Sequence, residues 1–333
     1  MLSIIIPTYN AEKFIVNLLE SVFDNSVEDM EVIIVDDCSS DNTVKIAKGY
    51  PVKVIQLDTN SGPAKARNIG VKEARGDIIF FLDADIIVMK GTIKEAKDYF
   101  DRNPSSNCVI GICAKEPLNS GFVPRYMALF EYIHLKGSNA DRVSVFSPRC
   151  GAIRKDFFEK IGRYNETYRG ADVEDFELAR RVNKTDSIFL NRNMIVKHQF
   201  AGFRQALGIY FKRAVMWVHL FIKERKLDNA GPSVPSNGIA AVAAFGCLVS
   251  FLFLPIIREA KFLFVFFFTA YLAANFKWFR FMHKEAGLFF AVRALFLNYI
   301  LGIVIMIAVI FALIIYPFTP LESPVACHGD ENN

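Results

Sequence analysis

The sequence predicts an α/β fold with a doubly wound, mostly parallel sheet, followed by an α-helical transmembrane region. Short apolar strands alternate with helical segments through residues 2–85, which is typical of right-handed βαβ units. From residue 238 onward the chain contains long stretches without a charged residue, which is typical of helices that cross a bilayer. Its 333 residues suit one large domain with an appendage.

The predicted first domain alternates strands with helices. Apolar segments predict strands at residues 2–7, 31–37, 52–58, 77–85 and 107–114. Apolar residues at helical spacing predict a helix after the first strand, with Asn10 as its cap. The second strand precedes a helix for which the candidate caps are Ser39, Ser40 and Asp41. A Gly-Pro turn and a helix follow the third strand, and residues 123–137 predict a further helix.

The segment FFLDADIIV, residues 80–88, places two acids in an apolar run. Its composition is that of a strand buried on both faces. Because side chains alternate along a strand, we expect Asp83 and Asp85 to emerge on the same side. Ligands bind at the carboxyl edge of such sheets, so we expect the pair to face a site there.

The same edge receives polar residues from two other strands. They are Thr8, Tyr9 and Asn10 from the first strand and Asp36 and Asp37 from the second. So many carboxylates repel one another unless a cation is bound or some are protonated. Mg²⁺ or Mn²⁺ is commonly held by one or two carboxylates together with substrate phosphates. The alternative is that Asp83 and Asp85 are solvated strand-end residues, but the buried run and the second acidic strand end favour a metal site.

The sequence lacks the motifs that identify two other classes of nucleotide-binding protein. No GxGxxG follows the first strand and no GxxxxGK[ST] occurs in the sequence, so a dinucleotide dehydrogenase or P-loop NTPase is not expected. The six cysteines show no metal-site or paired spacing, which favours reduced structural thiols in a cytosolic domain.

Five segments in the same order resemble family 2 glycosyltransferases of GT-A fold. They are IIIPTYN, VDDCSSDNT, NSGPAKARNIGVKEARGDIIFFLDAD, CGAIRKDFFEKIGRYNE and ADVEDFELARRV, and the resemblance covers roughly residues 2–200. Two departures occur. Cys38 stands where the family commonly has Gly, and YNE at 164–166 replaces the more usual FDE. We expect neither departure to touch the chemistry.

The resemblance implies a role for the matched residues. Thr8, Tyr9 and Asp37 would contact the base and ribose of a nucleotide-sugar. Arg67 and Asn68 would face the nucleotide or sugar, although Arg67 could instead be a surface residue of an amphipathic helix. The remaining predicted members of the nucleotide-sugar site are Pro7, Asp36, Asp83 and Ala84. The predicted metal ligands are Asp85, Asp83 and His198, the last of which could equally be structural.

Glu174 and Asp175 form a second acidic pair at or before a helix start, where the helix dipole alone favours acids. The resemblance implies that Asp175 is the general base of an inverting transfer, with Glu174 orienting it or binding the acceptor. A base suits a hydroxyl acceptor, whereas a phosphate is already ionised near neutral pH. The pair therefore favours a hydroxyl on a lipid-linked or cell-envelope glycan over polyprenyl phosphate.

The C-terminal region predicts a membrane anchor. Segments 238–257, 261–278 and 294–318 are predicted spans, since about 30 Å of hydrocarbon needs roughly 20 residues at about 1.5 Å each. The second span holds only a short uncharged stretch, so it crosses if its flanking lysines snorkel and is otherwise re-entrant or interfacial. The predicted domains are a catalytic domain at 1–202, an interfacial helix at 203–227, a linker at 228–237, the transmembrane region at 238–318 and a tail at 319–333. The basic, aromatic segment 203–227 would lie on an anionic leaflet, pack on the catalytic domain, or both.

The placement of basic residues predicts the orientation. Lys and Arg concentrate before the first span and between the second and third, so the positive-inside rule predicts a cytoplasmic catalytic domain and a C-terminus on the opposite side. We expect no cleavable signal peptide, because no basic segment precedes the first apolar run and Pro7 interrupts it.

These observations predict an integral-membrane, metal-dependent inverting glycosyltransferase of hexosyltransferase type. Its expected partners are a nucleotide-sugar, a lipid-linked or glycan acceptor and membrane lipids, with no nucleic acid. A polyprenyl-phosphate sugar synthase is the nearest alternative. A processive polysaccharide synthase usually has QxxRW, which Gln205 and the stretch 213–217 do not form. A transporter subunit with a nucleotide-sensing domain has no support from charges inside the apolar segments.

Overall fold

The computed structural model describes residues 1–136, 141–168, 170, 173–225 and 235–318. These residues form two compact units. The first draws its described residues from 1–119 and 138–199, and the second draws them from 120–137 and 200–321.

The first unit is built on one mixed, mostly parallel sheet. Its strands in the described chain are β1 (Leu2–Thr8), β2 (Met30–Asp36), β3 (Lys53–Gln56), β4 (Ile78–Leu82), β5 (Ile86–Val88), β6 (Cys108–Cys113), β7 (Arg142–Val143), β8 (Cys150–Arg154) and β9 (Ile188–His198). Their order is β3-β2-β1-β4-β8-β6-β9-β5, with β7 beside β9. β3, β2, β1 and β4 are parallel, while β8 runs antiparallel to β4 and β6. The predicted α/β fold is confirmed.

Eleven helices occur in the described residues of the two units. They are α1 (Ile15–Asp24), α2 (Thr43–Ala47), α3 (Pro63–Glu73), α4 (Thr92–Arg102), α5 (Phe122–Lys136), α6 (Lys155–Lys160), α7 (Glu174–Thr185), α8 (Phe203–Glu224), α9 (Pro235–Phe253), α10 (Ala260–Ala286) and α11 (Leu288–Ile315). The second unit contains α5 and α8 to α11.

The core of the first unit lies between the sheet and its helices. All five residues of β4 are buried, as continuous apolar strands covered on both faces must be. Gly70 of α3 lies close to β1: a Cβ at this position would be 2.4 Å from Ile5 Cγ2. The missing side chain therefore lets α3 lie directly on the sheet.

The predicted cap of the first helix is wrong. α1 begins at Ile15 with Phe14 at the cap position, and Asn10 lies well before it. Asn10 has a left-handed backbone (φ 49°), and its Oδ1 accepts a hydrogen bond from the Ser40 N–H at 2.9 Å. Asn10 therefore joins the loop after β1 to the loop after β2, instead of starting a helix.

FFLDADIIV is not one strand. β4 ends at Leu82, the chain turns at residues 84–85, and β5 starts at Ile86. β5 pairs antiparallel with β9, at the end of the strand order away from β3. The alternation argument for Asp83 and Asp85 is therefore wrong, because both follow the end of β4.

The second unit is helical, and α9, α10 and α11 are long and apolar enough to cross a membrane. The predicted second span is longer than its uncharged stretch, since α10 continues past Lys277 to Ala286. α5 belongs to this unit: the Tyr126 hydroxyl donates to Asn298 Oδ1 of α11 at 3.0 Å, and Asn298 donates to Asn275 Oδ1 of α10 at 2.7 Å. α8 packs on α11, where the Phe211 and Phe311 rings lie 5.8 Å apart. Residues 228–234 of the predicted linker and the predicted tail lie outside the described residues.

Candidate active site

The carboxyl ends of β1 and β2 hold a buried acid. Thr8 and Asp36 are partners in the strand register, and Asp36 is 1% exposed. Its carboxylate accepts hydrogen bonds from the Thr8 hydroxyl at 3.1 Å and the Ser39 N–H at 2.9 Å. Asp36 therefore fixes the loop after β2. Beside these buried groups, Tyr9 is exposed, whereas Pro7 is half-buried.

Asp37 fixes the start of α3. Its two carboxylate oxygens accept the N–H groups of Ser61 at 2.7 Å and Gly62 at 2.8 Å. Gly62 has φ 92°, a left-handed conformation that favours glycine, and Pro63 begins the helix directly after it. The acid predicted to meet a nucleotide thus also shapes the turn that carries Arg67 and Asn68.

Arg67 is the centre of a buried ionic group. It is 4% exposed, so it is not the surface residue considered as an alternative. Its Nη2 lies 2.9 Å from Asp83 Oδ1 and its Nη1 lies 3.2 Å from Glu174 Oε1. Burial disfavours the cation, but the charges of Asp83 and Glu174 raise the pKa of Arg67 above its usual value. One guanidinium therefore joins the acid after β4 to the acid that starts α7.

Asn68 is held by the segment between α6 and α7. Its Nδ2 donates to the Tyr164 carbonyl and to Glu166 Oε1, both at 2.9 Å, and its Oδ1 accepts the Tyr164 N–H at 3.0 Å. These bonds fix the loop against α3. The predicted role of Asn68 toward a nucleotide or sugar stays a prediction.

Asp85 lies next to His198, because Ile86 of β5 pairs with His198 of β9. Asp85 Oδ2 is 3.3 Å from His198 Nε2. Burial raises the pKa of the Asp85 carboxyl, but the hydrogen bond from His198 and the charges of His198 and Arg149 outweigh it and hold the pKa below its usual value. Ala84, between the two aspartates, is in the turn.

The predicted metal ligands are only partly assembled. No group of three or more His, Cys, Asp or Glu side chains with metal-site geometry occurs in the part of the chain that the structure describes. Asp85 and His198 are adjacent, while Asp83 is paired with Arg67. A carboxylate oxygen and an imidazole nitrogen fit a divalent cation that takes its other ligands from substrate oxygens. The metal role of Asp83 stays a prediction.

Glu174 and Asp175 lie in the first turn of α7, as predicted from the sequence. Glu174 is 4% exposed and paired with Arg67. Asp175 is half-buried, and its Oδ1 accepts the N–H of Phe176 at 2.9 Å. The catalytic roles of the two acids stay predictions.

Two further residues border the site, and neither was predicted. Arg149 Nε lies 3.9 Å from Asp83 Oδ2, and its charge also acts on Asp85. Tyr164 lies under Arg67, with the guanidinium carbon 5.4 Å from its ring centroid. Tyr164 of YNE thus contacts a predicted site residue, while the expectation that this departure does not touch the chemistry stays a prediction. The tyrosine in place of phenylalanine was the available signal, whereas nothing in the local sequence marks Arg149.

Three comparisons with known proteins all find glycosyltransferases. The sequence model of Glycosyl transferase family 2 matches residues 3–162. The chain is 34% identical over 183 residues to an uncharacterized glycosyltransferase of Haemophilus influenzae, covering 54% of this chain and 61% of that protein. It is 40% identical over 132 residues to the poly(ribitol-phosphate) beta-N-acetylglucosaminyltransferase TarS of Staphylococcus aureus, covering 38% and 22%. The chain thus spans less than two thirds of either relative.

A solved structure shares the fold. The mannosyltransferase PcManGT from Pyrobaculum calidifontis, in complex with GDP-Man and Mn²⁺, matches with a TM-score of 0.58 and 18% identity, over 95% of this chain and 87% of that one. The sheet described above is therefore of GT-A type, as predicted. With this fold and the matched segment together, residues 3–162 are similar to glycosyl transferase family 2.

Proposed function

We propose that the chain is a membrane-anchored, metal-dependent inverting glycosyltransferase. It would move a sugar from a nucleotide-diphosphate sugar to a hydroxyl of a lipid-linked or cell-envelope glycan. The observation that carries the proposal is the acidic carboxyl edge of the sheet, where Arg67 connects Asp83 to Glu174. The family match supports the reaction class.

The donor side of the proposal uses the loops after β1, β2 and β4. Asp37 holds the turn before α3, and the exposed ring of Tyr9 is available to contact a nucleotide base. The relative PcManGT binds GDP-Man, which supports a nucleotide-sugar donor for the shared fold.

A divalent cation, Mn²⁺ or Mg²⁺, would be held by Asp85 with His198, and Asp83 is the further ligand expected from the resemblance. The adjacency of the two groups supports this assignment, since Asp85 Oδ2 lies 3.3 Å from His198 Nε2. When bound, such a cation supplies charge stabilisation for a departing diphosphate. PcManGT was solved with Mn²⁺, which agrees with this choice of ion.

On the acceptor side, Asp175 would be the general base. It would take the proton of the acceptor hydroxyl, which attacks the anomeric carbon from the face opposite the diphosphate and inverts that centre. Glu174, paired with Arg67, would be the neighbour that orients the base or meets the acceptor. TarS acts on poly(ribitol-phosphate), a polymer that carries hydroxyl groups, which supports a hydroxyl acceptor.

The membrane anchor would raise the local concentration of a lipid-linked acceptor. α9, α10 and α11 would be the spans and α8 an interfacial helix, with the catalytic domain at residues 1–202. Tyr210, Phe211 and Trp217 interleaved with Lys212 and Arg213 support the interfacial role of α8.

Transfer assays on membranes that contain the full chain test the proposal. Membranes are incubated with a panel of radiolabelled nucleotide-sugars, with and without EDTA. We expect label from one donor to enter a membrane-associated glycan, loss of transfer with EDTA, and recovery on adding Mn²⁺ or Mg²⁺. No transfer from any donor would contradict the proposed function. Full transfer in EDTA would contradict its metal dependence.

Asp175→Asn tests the base, with Asp156→Asn as a matched control. Each aspartate lies in the first turn of a helix and accepts the N–H of the phenylalanine that follows it, at 2.9 Å and 2.7 Å. We expect Asp175→Asn to lower kcat by about 10²-fold or more and Asp156→Asn to leave it unchanged. Full activity of Asp175→Asn with a polyprenyl phosphate acceptor would favour the phosphate-acceptor synthase instead.

A further inference from the structure

Arg149 is a cation that the sheet register brings to the acidic edge of the first unit. It directly precedes β8, which pairs antiparallel with β4, and Leu82 of β4 is the register partner of Cys150. The residues next beyond that pair are Asp83 and Arg149, so both emerge at the same edge. Arg149 Nε is 3.9 Å from Asp83 Oδ2. The strand pairing itself therefore delivers a guanidinium to the acids that follow β4.

The neighbouring strands place Arg149 between two parts of the predicted site. The sheet order here is β4, β8, β6, β9 and β5. Arg149 Nη1 donates a hydrogen bond to the sulfur of Cys113, the last residue of β6, at 3.3 Å. The next strand, β9, ends at His198, whose Nε2 is 3.3 Å from Asp85 Oδ2. Arg149 therefore lies between Asp83 on one side and the pair of Asp85 and His198 on the other.

Arg149 and Arg67 meet Asp83 in different ways. Arg67 pairs with Oδ1 at 2.9 Å, and its side chain is 5% exposed. Arg149 Nε is 3.9 Å from Oδ2, which is too long for a hydrogen bond, and its side chain is 19% exposed. Arg67 is thus the closer counter-charge of Asp83. Of the two arginines, Arg149 is the one whose side chain reaches the surface, where a ligand can meet it.

A guanidinium in this position suits a diphosphate. Its planar N–H donors pair with phosphate oxygens, and its charge is permanent. In the proposed transfer the bond between the anomeric carbon and the diphosphate breaks, and its electron pair stays on the diphosphate oxygen. The acceptor oxygen forms the new bond to that carbon, and its proton goes to Asp175. A cation beside the diphosphate therefore stabilises the transition state more than it stabilises the bound donor.

We propose that Arg149 binds the diphosphate of the nucleotide-sugar and stabilises its charge as it leaves. Arg149 would then be a catalytic residue of the donor site, beside the divalent cation that Asp85 and His198 would hold. This inference rests on the proposed function and adds a cation of the protein to the metal ion. Because two neighbouring cations repel each other, removal of Arg149 should not weaken metal binding.

Arg149→Gln tests the inference, because it removes the charge and leaves Asp83 paired with Arg67. The full chain in detergent is titrated with Mn²⁺, and the signal of free Mn²⁺ is followed by electron paramagnetic resonance. In excess Mn²⁺ it is then titrated calorimetrically with UDP, GDP or dTDP, whichever belongs to the sugar donor that the wild type uses. We expect the nucleoside diphosphate to bind about tenfold more weakly or worse, and Mn²⁺ to bind at least as tightly as in the wild type. In membranes, kcat/KM for the donor should fall by about 10²-fold.

Two further variants complete the comparison. Arg149→Lys keeps the charge and loses the planar fork, so its affinity for the nucleoside diphosphate should lie between those of the wild type and Arg149→Gln. Arg154→Gln is the matched control at the other end of β8, where the arginine donates hydrogen bonds to the carbonyls of Ser106 and Pro104. This control should lower the melting temperature and leave the binding of Mn²⁺ and of the nucleoside diphosphate unchanged.

Each other result has a separate meaning. Unchanged binding of the nucleoside diphosphate by Arg149→Gln would overturn the inference and leave the proposed function intact. Weaker Mn²⁺ binding would overturn it as well, because Arg149 would then act by holding Asp83 in place. If Arg149→Gln shows no melting transition, Arg149→Lys is measured in its place, and wild-type affinity for the nucleoside diphosphate overturns the inference. Absence of sugar transfer by the wild type from every donor would instead refute the proposed function.

Discussion

Arg67 is a buried cation that pairs with two acids. Its planar guanidinium satisfies two acids from different parts of the chain, Asp83 and Glu174, while it is almost fully buried. A lysine has one point charge and could not hold both acids in this geometry. Burying the charges of Arg67 and Glu174 has a large desolvation cost, so the group is stable only as long as all of its members are present.

Replacing Arg67 should therefore destabilise the protein strongly. In Arg67→Gln, the buried carboxylate of Glu174 and the half-buried carboxylate of Asp83 lose their counter-charge, and we expect a loss of about 3–5 kcal/mol in the free energy of unfolding. Chemical or thermal unfolding of the full chain in detergent measures it. Arg75→Gln is the control, because Arg75 is 77% exposed, so the arginine of its ion pair with Glu31 is hydrated and the pair contributes little. Equal effects of the two substitutions would contradict the buried role of Arg67.

At the scale of elements, α3 is the scaffold of the site. Asp37 accepts the two backbone N–H groups just before the helix, and Gly70 lets the helix lie against β1. The helix is thus fixed at its start and along its length. Arg67 and Asn68 lie between these two points, which explains why their side chains are held so closely.

Gly70→Ala tests this packing. The new Cβ would be 2.4 Å from Ile5 Cγ2 and 3.3 Å from Val35 Cγ2, so helix and strand must separate. We expect a loss of about 1–3 kcal/mol in the free energy of unfolding and a lower transfer rate, because Arg67 moves with the helix. In Gly208→Ala a Cβ would meet nothing within 4 Å, so this control in α8 should be neutral or stabilising by up to about 1 kcal/mol. The prediction fails if Gly70→Ala behaves like the control in unfolding experiments.

The bounds of the strands and helices show how much of the fold local sequence can predict. β1 and β2 match their predicted strands closely, because each is a continuous apolar run with a polar end. FFLDADIIV does not, because two short strands around a turn have the same composition as one strand. The division depends on the pairing of β5 with β9, more than a hundred residues later in the chain. The length of α10 was missed for another reason: charged residues end an apolar stretch without ending a helix.

The candidate site, like the fold, was only partly predictable from local sequence. Strand ends and the family resemblance predicted Asp37, Asp83 and Glu174 as candidate site residues. They could not predict that Arg67 pairs with Glu174, because the two residues are 107 positions apart and no local pattern connects them. Tyr164 was overlooked because a tyrosine in place of phenylalanine keeps the apolar pattern and changes only one polar atom.

For the whole molecule, the described basic residues of the helical unit give a direction. Lys277, Arg280, Lys284 and Arg293 lie around the junction of α10 and α11, whereas the junction of α9 and α10 has Arg258 and Lys261. The positive-inside rule predicts that the junction of α10 and α11 is cytoplasmic. With three spans, the first unit would then be cytoplasmic and the residues after α11 would be on the opposite side.

Thiol labelling tests this orientation, because Cys38 is exposed while Cys108, Cys113, Cys150 and Cys247 are buried. Burial also raises the pKa of Cys150 to about 12, so that thiol reacts slowly. Spheroplasts that express the full chain with Cys327→Ser are treated with a membrane-impermeant maleimide before or after permeabilisation. We expect labelling of Cys38 only after permeabilisation and no labelling when Cys38→Ser is added. In a second experiment, an antibody should reach an epitope placed after Asn333 in intact spheroplasts. Labelling of Cys38 in intact spheroplasts would reverse the orientation, and an inaccessible epitope with protected Cys38 would mean that one of the three helices does not cross the membrane.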